Sequence, residues 1–428
     1  MYCPAGHSVY ESRDCKLCTK EHFIQEFTTW SSGNVEIDKV IQKSQANNGF
    51  NGIQWVPYDN FRDIKHIADG GYGSVYSAIL KDCVKFWWNF DKQDWEYNAI
   101  RKVALKEIRD SRHDISEFFK EAKNLLIANN LWDFIAKCIG ITKNPSTENY
   151  IIVMRLYDDS LHKFLTKNFG RLRWKMKIDL MYNIAAGLYC LRNRELVHRD
   201  LHSGNVLTSH ILYDYSASIT DLGLCVLEND QITKSDNKRD IYSFGGIMYE
   251  MATGKQPFYD RAHDTRLIID ICNGVRPNIP YIMLDWIPKW YSDLMYKCWN
   301  GDPSKRPTVE GLFWELRNLY VKLRDNEMDD DIQQFIIADE NQKKKDIKSG
   351  KSQDPNLLKS NESTSSSIST YDIDSKESKE CIDWEKENQK HAKKRSFSTL
   401  DCDSEESKEC INLNKDDDNI TLKKVKKD

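Results

Sequence analysis

Residues 198–205 read His198-Arg199-Asp200-Leu201-His202-Ser203-Gly204-Asn205, a polar stretch held between the apolar pairs Leu196-Val197 and Val206-Leu207. Apolar pairs of this kind suit two short strands with a loop between them. The loop carries a carboxylate and a carboxamide five positions apart, Asp200 and Asn205. Upstream, Met176, Leu180, Ile184, Leu188 and Leu191 recur at three- and four-residue intervals. That stripe predicts a long amphipathic helix over residues 173–193, delivering the chain to the loop.

The rest of the chain must supply a body large enough to hold such a loop. With 16 Phe, 20 Tyr and 12 Trp in 428 residues, and 40% apolar residues, a real core is available. A mean hydropathy of -0.67 requires part of the chain to lie outside it. The length suits two or three ordinary domains, or one two-lobed domain of about 260 residues with flanking segments. A net charge of -4 gives no support to nucleic-acid binding by bulk electrostatics. No apolar run approaches the roughly 18 residues of a membrane span, and residues 1–7 lack the apolar core of a signal peptide. The expectation is a chain without nucleic-acid or membrane partners, cytoplasmic or nuclear. Its 12 cysteines should then be mostly reduced, with Cys138, Cys190, Cys272 and Cys298 buried in apolar surroundings.

Residues 64–76 alternate around a glycine-rich turn, with Ile67, Ala68, Gly70, Gly71, Gly73 and Val75 in order, which predicts strand, turn, strand. Val103-Ala104-Leu105-Lys106 places a lysine inside an apolar strand, which is unfavourable unless its charge is paired. The helix predicted over residues 115–126 offers Glu121, with Glu117 one turn earlier. Residues 150–154 read as a buried strand, followed by a connector from Arg155 to Ser160, and Ser160 caps the helix that begins at Leu161. Asp221-Leu222-Gly223 follows a further short strand.

Taken in order, the glycine-rich turn, V-A-L-K, H-R-D-L-x-x-x-N, D-L-G and the closing Cys298-Trp299-x2-Asp302-Pro303-x2-Arg306-Pro307-Thr308 resemble the protein kinase family over residues 61 to about 320. The closing motif resembles the tyrosine-kinase and tyrosine-kinase-like branches in particular. The resemblance implies an α+β, two-lobed fold, with a small antiparallel β lobe bearing one main helix and a larger, mainly α-helical lobe. It implies ATP and magnesium, and transfer of the γ-phosphate to a protein hydroxyl, with serine or threonine favoured over tyrosine. Under it, Ile67, Ala68, Gly70, Gly71, Gly73, Val75, Ala104, Met154 and Leu156 bind ATP, the glycine-rich loop covering the phosphates and Met154 lining the back of the adenine pocket. Lys106 binds the α- and β-phosphates and pairs with Glu121. Asp200 accepts the proton of the acceptor hydroxyl, and Asn205 and Asp221 hold Mg2+.

The sequence departs from the family pattern in four places. Leu222 stands where D-F-G has Phe. Ala68 stands where the first glycine of the loop is expected. His202 occupies a position where serine/threonine kinases usually carry lysine. Asp240, which opens an apolar helix, follows Asp221 by only 19 positions, with no A-P-E between them. The intervening segment is roughly half the expected length; Thr233 and Ser235 within it are candidate phosphosites or plain loop hydroxyls. Arg306 loses the glutamate that such an arginine pairs with in relatives, which implies another carboxylate, local loosening, or a missing coding segment. A nucleotide-binding pseudokinase or scaffold, unable to dock a peptide, is the alternative reading.

The flanks divide as residues 1–20, a candidate zinc-binding leader; 21–60, a helical and loop linker packing on the domain; 61–325, the kinase domain; and 326–428, a disordered low-complexity tail that could recruit other proteins. Cys3, His7, Cys15 and Cys18 supply the four soft ligands of a closed structural zinc site, or else are free thiols and an exposed imidazole at a frayed terminus. Phe23, Ile24, Phe27 and Trp30 have helical spacing, as do Val35, Ile37, Val40 and Ile41. The aromatic insertion between residues 86 and 97 predicts a hairpin with cross-strand aromatic pairs. In the tail, residues 374–382 nearly repeat as 403–411, and the basic runs at 393–395 and 423–427 are nuclear-import signals or plain solvated charge.

Overall fold

The computed structural model describes residues 2–8, 15–48, 52–71, 73–128, 134–211, 214–227, 237–325 and 327–350. In chain order the elements begin with helices α1 (Lys16–Gln25) and α2 (Val35–Asn48) and strand β1 (Gln54–Trp55). The small lobe continues with β2 (Phe61–Asp69), β3 (Gly73–Leu80), β4 (Lys85–Asn89), β5 (Asp94–Tyr97), β6 (Lys102–Ile108), helix α3 (Ser116–Ala128), β7 (Cys138–Lys143) and β8 (Tyr150–Arg155). The large lobe holds β9 (Asp159–Ser160), α4 (Leu161–Asn168), α5 (Trp174–Arg192), β10 (Leu196–Val197), β11 (Val206–Ile211), β12 (Asp214–Ile219) and β13 (Val226–Leu227). It closes with α6 (Asn237–Thr253), α7 (Thr265–Cys272), α8 (Lys289–Cys298), α9 (Val309–Asp325) and α10 (Asp330–Gly350).

The small lobe is a six-stranded sheet in the order β1-β7-β8-β6-β3-β2. All its pairings are antiparallel except β1 with β7. Alternation along β6 sorts its side chains between two cores. Val103 and Leu105 pack with Leu80, Ile139, Ile151 and Val153 on one face. Opposite partners in an antiparallel pair share a face, and the pairs Val75↔Lys106, Lys106↔Ile152 and Ala104↔Met154 therefore line the other one. That face meets α3 and the main core, to which Ile152, Met154, Phe118 and Leu125 belong.

The large lobe is built on α5, whose Leu180, Ile184 and Leu188 are buried as the stripe requires. It packs on α9 and β12 and is followed directly by β10. Ser160 caps α4, its hydroxyl accepting from the amide of Lys163 at 3.3 Å. α6 crosses the centre of the lobe with Ile241, Phe244 and Met248 buried.

The aromatic insertion is the hairpin β4–β5, with Trp88 opposite Trp95 and their rings 5.6 Å apart, edge to face. Both leader helices pack on the small lobe. α2 buries Ile37 and Ile41 in the same core as Phe118 and Ala122 of α3, while Val35 stays exposed. The first helical stretch differs from its prediction: α1 ends at Gln25, before Phe27 and Trp30, and its Ile24 is exposed.

Two further expectations are corrected. Cys272 is exposed near the end of α7, since its helix turns that face outward; Cys138, Cys190 and Cys298 are buried. The fold also does not stop at residue 325. α10 returns to the large lobe with Ile332, Phe335 and Ala338 buried, and Asp339 accepts from the amide of Trp174 at 3.0 Å. The surrounding charge hid a three-residue apolar stripe that is enough for one packed face. The rest of the predicted tail, from residue 351 on, lies outside the described residues, as do Thr233 and Ser235. Among the described residues no helix is long and apolar enough to cross a membrane.

Candidate active site between the two lobes

Lys106 lies mid-strand on the inward face of β6, and α3 runs behind it. Its Nζ sits 2.7 Å from Oε1 of Glu121 and 3.0 Å from Oδ1 of Asp221. Glu121 faces the core because it shares a helical stripe with Phe118, Ala122 and Leu125. Glu117 makes no such contact among the hydrogen bonds of Lys106. Burial opposes the Lys106 charge, but the carboxylates of Glu121 and Asp221 outweigh it and hold the ammonium pKa above the ordinary lysine value. Burial likewise pushes Asp221 upward, yet the Lys106 ammonium prevails and leaves its carboxyl below the usual range.

Asp221 is held in the left-handed region at φ 61°, a conformation rare for residues other than glycine and costing about 1–3 kcal/mol when imposed by surroundings. Its turn is clamped by Asn124 of α3, whose Nδ2 donates to the carbonyls of Leu222 (2.8 Å) and Cys225 (3.1 Å). The imidazole of His198 bonds the carbonyl of Thr220 through Nε2 at 2.9 Å.

The catalytic-loop candidates sit beside this turn. The amide of Thr220 donates to the carbonyl of Asn205 at 2.9 Å, tying the two segments together. Nδ2 of Asn205 donates to Asp200, to its carbonyl at 2.9 Å and to Oδ2 at 3.1 Å. From beneath, Asp240 accepts from the amides of His198 and Arg199, each at 2.8 Å. The first turn of α6 thereby fixes the loop that β10 and β11 present. Burial raises the Asp200 carboxyl pKa, against the opposing pull of His202 and His198. His202, itself made harder to protonate by burial, has Nε2 3.9 Å from Oδ2 of Asp200.

On the sheet side, Ala68 pairs with Val75, in register with Lys106, so the three share the inward face. Ala68 needs no positive φ, which explains why a methyl group fits there. Ile67 falls in an irregularity of β2 and is 44% exposed. Gly70 donates its amide to the carbonyl of Gly73 at 2.7 Å, and a Cβ on Gly71 would meet open space. Gly73 is glycine for a different reason: a Cβ would lie 1.9 Å from the carbonyl oxygen of Glu107, so no side chain fits between β3 and β6. Met154 is the last residue but one of β8, opposite Ala104, and the amide of Leu156 donates to the carbonyl of Lys102 at 3.3 Å.

A family model for protein tyrosine and serine/threonine kinases matches residues 61–239 and 226–316. The chain belongs to the protein kinase family. Its curated relatives span both acceptor classes. It is 25% identical over 338 residues to the tyrosine-protein kinase FRK of Homo sapiens, covering 71% of this chain and 61% of that protein. It is 28% identical over 283 residues to the probable serine/threonine-protein kinase roco5 of Dictyostelium discoideum (59% of this chain, 9% of that protein). The dual specificity protein kinase pyk3 of the same organism is 25% identical over 319 residues (68% and 21%). The chain thus spans less than two thirds of the length of each of these relatives.

Among the described residues, Arg306 pairs with no carboxylate. Its Nε donates to the carbonyl of Asn300 and its Nη1 to that of Lys238, each at 2.8 Å, and the guanidinium lies 4.9 Å over the Tyr242 ring. Lys238 answers by donating to the carbonyls of Arg306 and Pro307. Backbone oxygens and an aromatic face take the contacts of the cation. Burial still lowers the Arg306 pKa.

Asp240 and Asn124 were not singled out as site residues from the sequence. Each carried a signal: a carboxylate opening an apolar helix, and a carboxamide on the apolar stripe of α3.

Proposed function

We propose that this kinase is catalytically active and transfers the γ-phosphate of ATP to a serine or threonine hydroxyl of a protein. The observation that supports this most strongly is the joining of Lys106, Glu121 and Asp221 in one ion cluster, with Asp200 and Asn205 tied to it through Thr220.

In this reading Lys106, kept charged by its two carboxylates, positions the α- and β-phosphates, and Glu121 orients Lys106. The backbone amide of Gly71 approaches the phosphates where no side chain intervenes. Asn205 spends its amide nitrogen on Asp200, which turns its oxygen toward other partners, and Asp221 adds a carboxylate. These hard oxygen donors fit Mg2+, which when bound neutralises phosphate charge. Asp200, its pKa raised by burial, accepts a hydrogen bond from the acceptor hydroxyl and takes its proton as the oxygen attacks. The remainder of the rate acceleration is positioning and charge stabilisation. Asp240 supports this by holding the loop amides still.

The 19-position interval between Asp221 and Asp240, without A-P-E, favours a second reading: a nucleotide-binding scaffold without transfer. Radiolabelled phosphate transfer by the purified chain and by Asp200→Asn separates the two. Transfer by the wild type alone, with label in phosphoserine or phosphothreonine, is the expected result. Nucleotide binding with equal background from both proteins would sink the enzyme reading, and label in phosphotyrosine would sink the acceptor assignment.

A further inference from the structure

The leader gathers four soft ligand atoms at a place the phosphotransfer site does not use. Nδ1 of His7 lies 3.5 Å from Sγ of Cys3, 3.5 Å from Sγ of Cys15 and 3.4 Å from Sγ of Cys18. The sulfurs of Cys3 and Cys18 are 3.6 Å apart, and all four atoms lie within 4.8 Å of one another. A tetrahedral zinc ion, about 2.3 Å from sulfur and about 2.0–2.1 Å from nitrogen, requires S···N edges of about 3.5 Å and S···S edges of about 3.8 Å. The three S···N distances and the Cys3–Cys18 S···S distance lie close to those edges. A disulfide is a different object, with its sulfurs at about 2.05 Å.

We propose that Cys3, His7, Cys15 and Cys18 bind one Zn2+ through three thiolates and one imidazole, and that the ion fastens the leader to the small lobe. Several features support this assignment. The three cysteines are buried and His7 is half-buried, so the ligands already share one site. A tight turn, in which Cys3 donates its amide to the carbonyl of His7 and Gly6 its own to the carbonyl of Cys3, brings the first two ligands together. Nε2 of His7 faces Oε1 of Glu21 at 3.8 Å, the outer carboxylate position that orients a metal-bound imidazole. Four protein ligands leave no open position, so the site is structural.

The fastening runs through α1, which the ligands Cys15 and Cys18 anchor at its start. The cluster packs on Trp88 and Phe90 of the β4–β5 hairpin. Thr19 accepts from the amide of Trp88 at 3.0 Å, and the His22 ring stacks on Trp88 at 3.5 Å. Zinc therefore orders both α1 and the hairpin that receives it. Binding by the folded chain stabilises it by mass action, since the metal has no comparable preformed site in the unfolded chain.

The test uses the full, untagged chain and does not depend on phosphotransfer. Elemental analysis should find one zinc per chain, and Cys18→Ser should lose it while Cys83→Ser keeps it. Cobalt added to the chelated wild type should give the visible spectrum of a tetrahedral thiolate site. Chelation should raise amide exchange in residues 16–25 and 85–97 and leave residues 174–192 unchanged. Because Cys18→Ser could fail to fold, the cobalt spectrum and the exchange experiment on wild-type protein stand independently. A reduced chain that binds neither zinc nor cobalt, or one that holds zinc equally well without Cys18, overturns the proposal.

Discussion

Nζ of Lys106 and Oδ1 of Asp221 lie 3.0 Å apart, although 115 positions of sequence separate them. The contact joins the small lobe to the large one and depends on Glu121 to complete the charge balance. Removing that third member tests the arrangement without touching either of the first two. Glu121→Gln keeps the shape but withdraws one charge-assisted hydrogen bond from a buried ammonium, a loss of about 2 kcal/mol. Urea unfolding should show that loss, and the Michaelis constant for ATP should rise. An unchanged Michaelis constant would mean that Glu121 does not position Lys106 for nucleotide.

Asp200 gives a prediction in pH. Its folded pKa is raised by burial, so the ionised, proton-accepting form is lost at a higher pH than for an ordinary aspartate near 3.8. Activity should therefore fall on its acid side while circular dichroism still reports a folded chain. The same sign bears on stability: a carboxyl raised in the folded state disfavours folding once ionised, so Asp200→Asn should be at least as stable at pH 7 as the wild type. A less stable variant would contradict this account of the site.

Arg306 tests how much its contacts to backbone carbonyls and to Tyr242 contribute. Arg306→Lys keeps the charge but cannot reach two carbonyls in a fixed fork while lying over the Tyr242 ring. Loss of about 1–2 kcal/mol is expected in thermal or urea unfolding. If the substitution is neutral, the guanidinium contacts contribute little.

The C-terminal helix gives a fourth prediction. Ending the chain after residue 326 uncovers the large-lobe surface that Ile332, Phe335 and Ala338 occupy, with a loss on the order of 3–5 kcal/mol. Trp174, which is buried and sits 5.6 Å from the Phe335 ring, should shift its emission to the red. Unchanged emission and melting temperature would show that α10 adds nothing to the lobe.

The sequence was legible where local periodicity and spacing carry the signal. The stripe of α5, the lysine inside β6 and the choice of Glu121 all follow from which face a residue occupies. Contacts made across the fold were harder to read. Arg306 is satisfied by backbone carbonyls, which no side-chain pattern announces. Gly73 is dictated by a neighbouring strand 34 positions away, through the carbonyl of Glu107. Asn124 and Asp240 act on backbone atoms of distant turns, and α10 carries too few apolar residues to stand out against its own charge.

The seating of α2 beside α3 has a consequence for control. The helix that carries Glu121 contacts α2 of the same polypeptide, whose Ile37 and Ile41 are buried in the same core. A separate molecule binding the part of α3 that α2 covers would have to displace α2. The contact between α2 and α3 forms within a single molecule, at an effective concentration no separate partner needs to match.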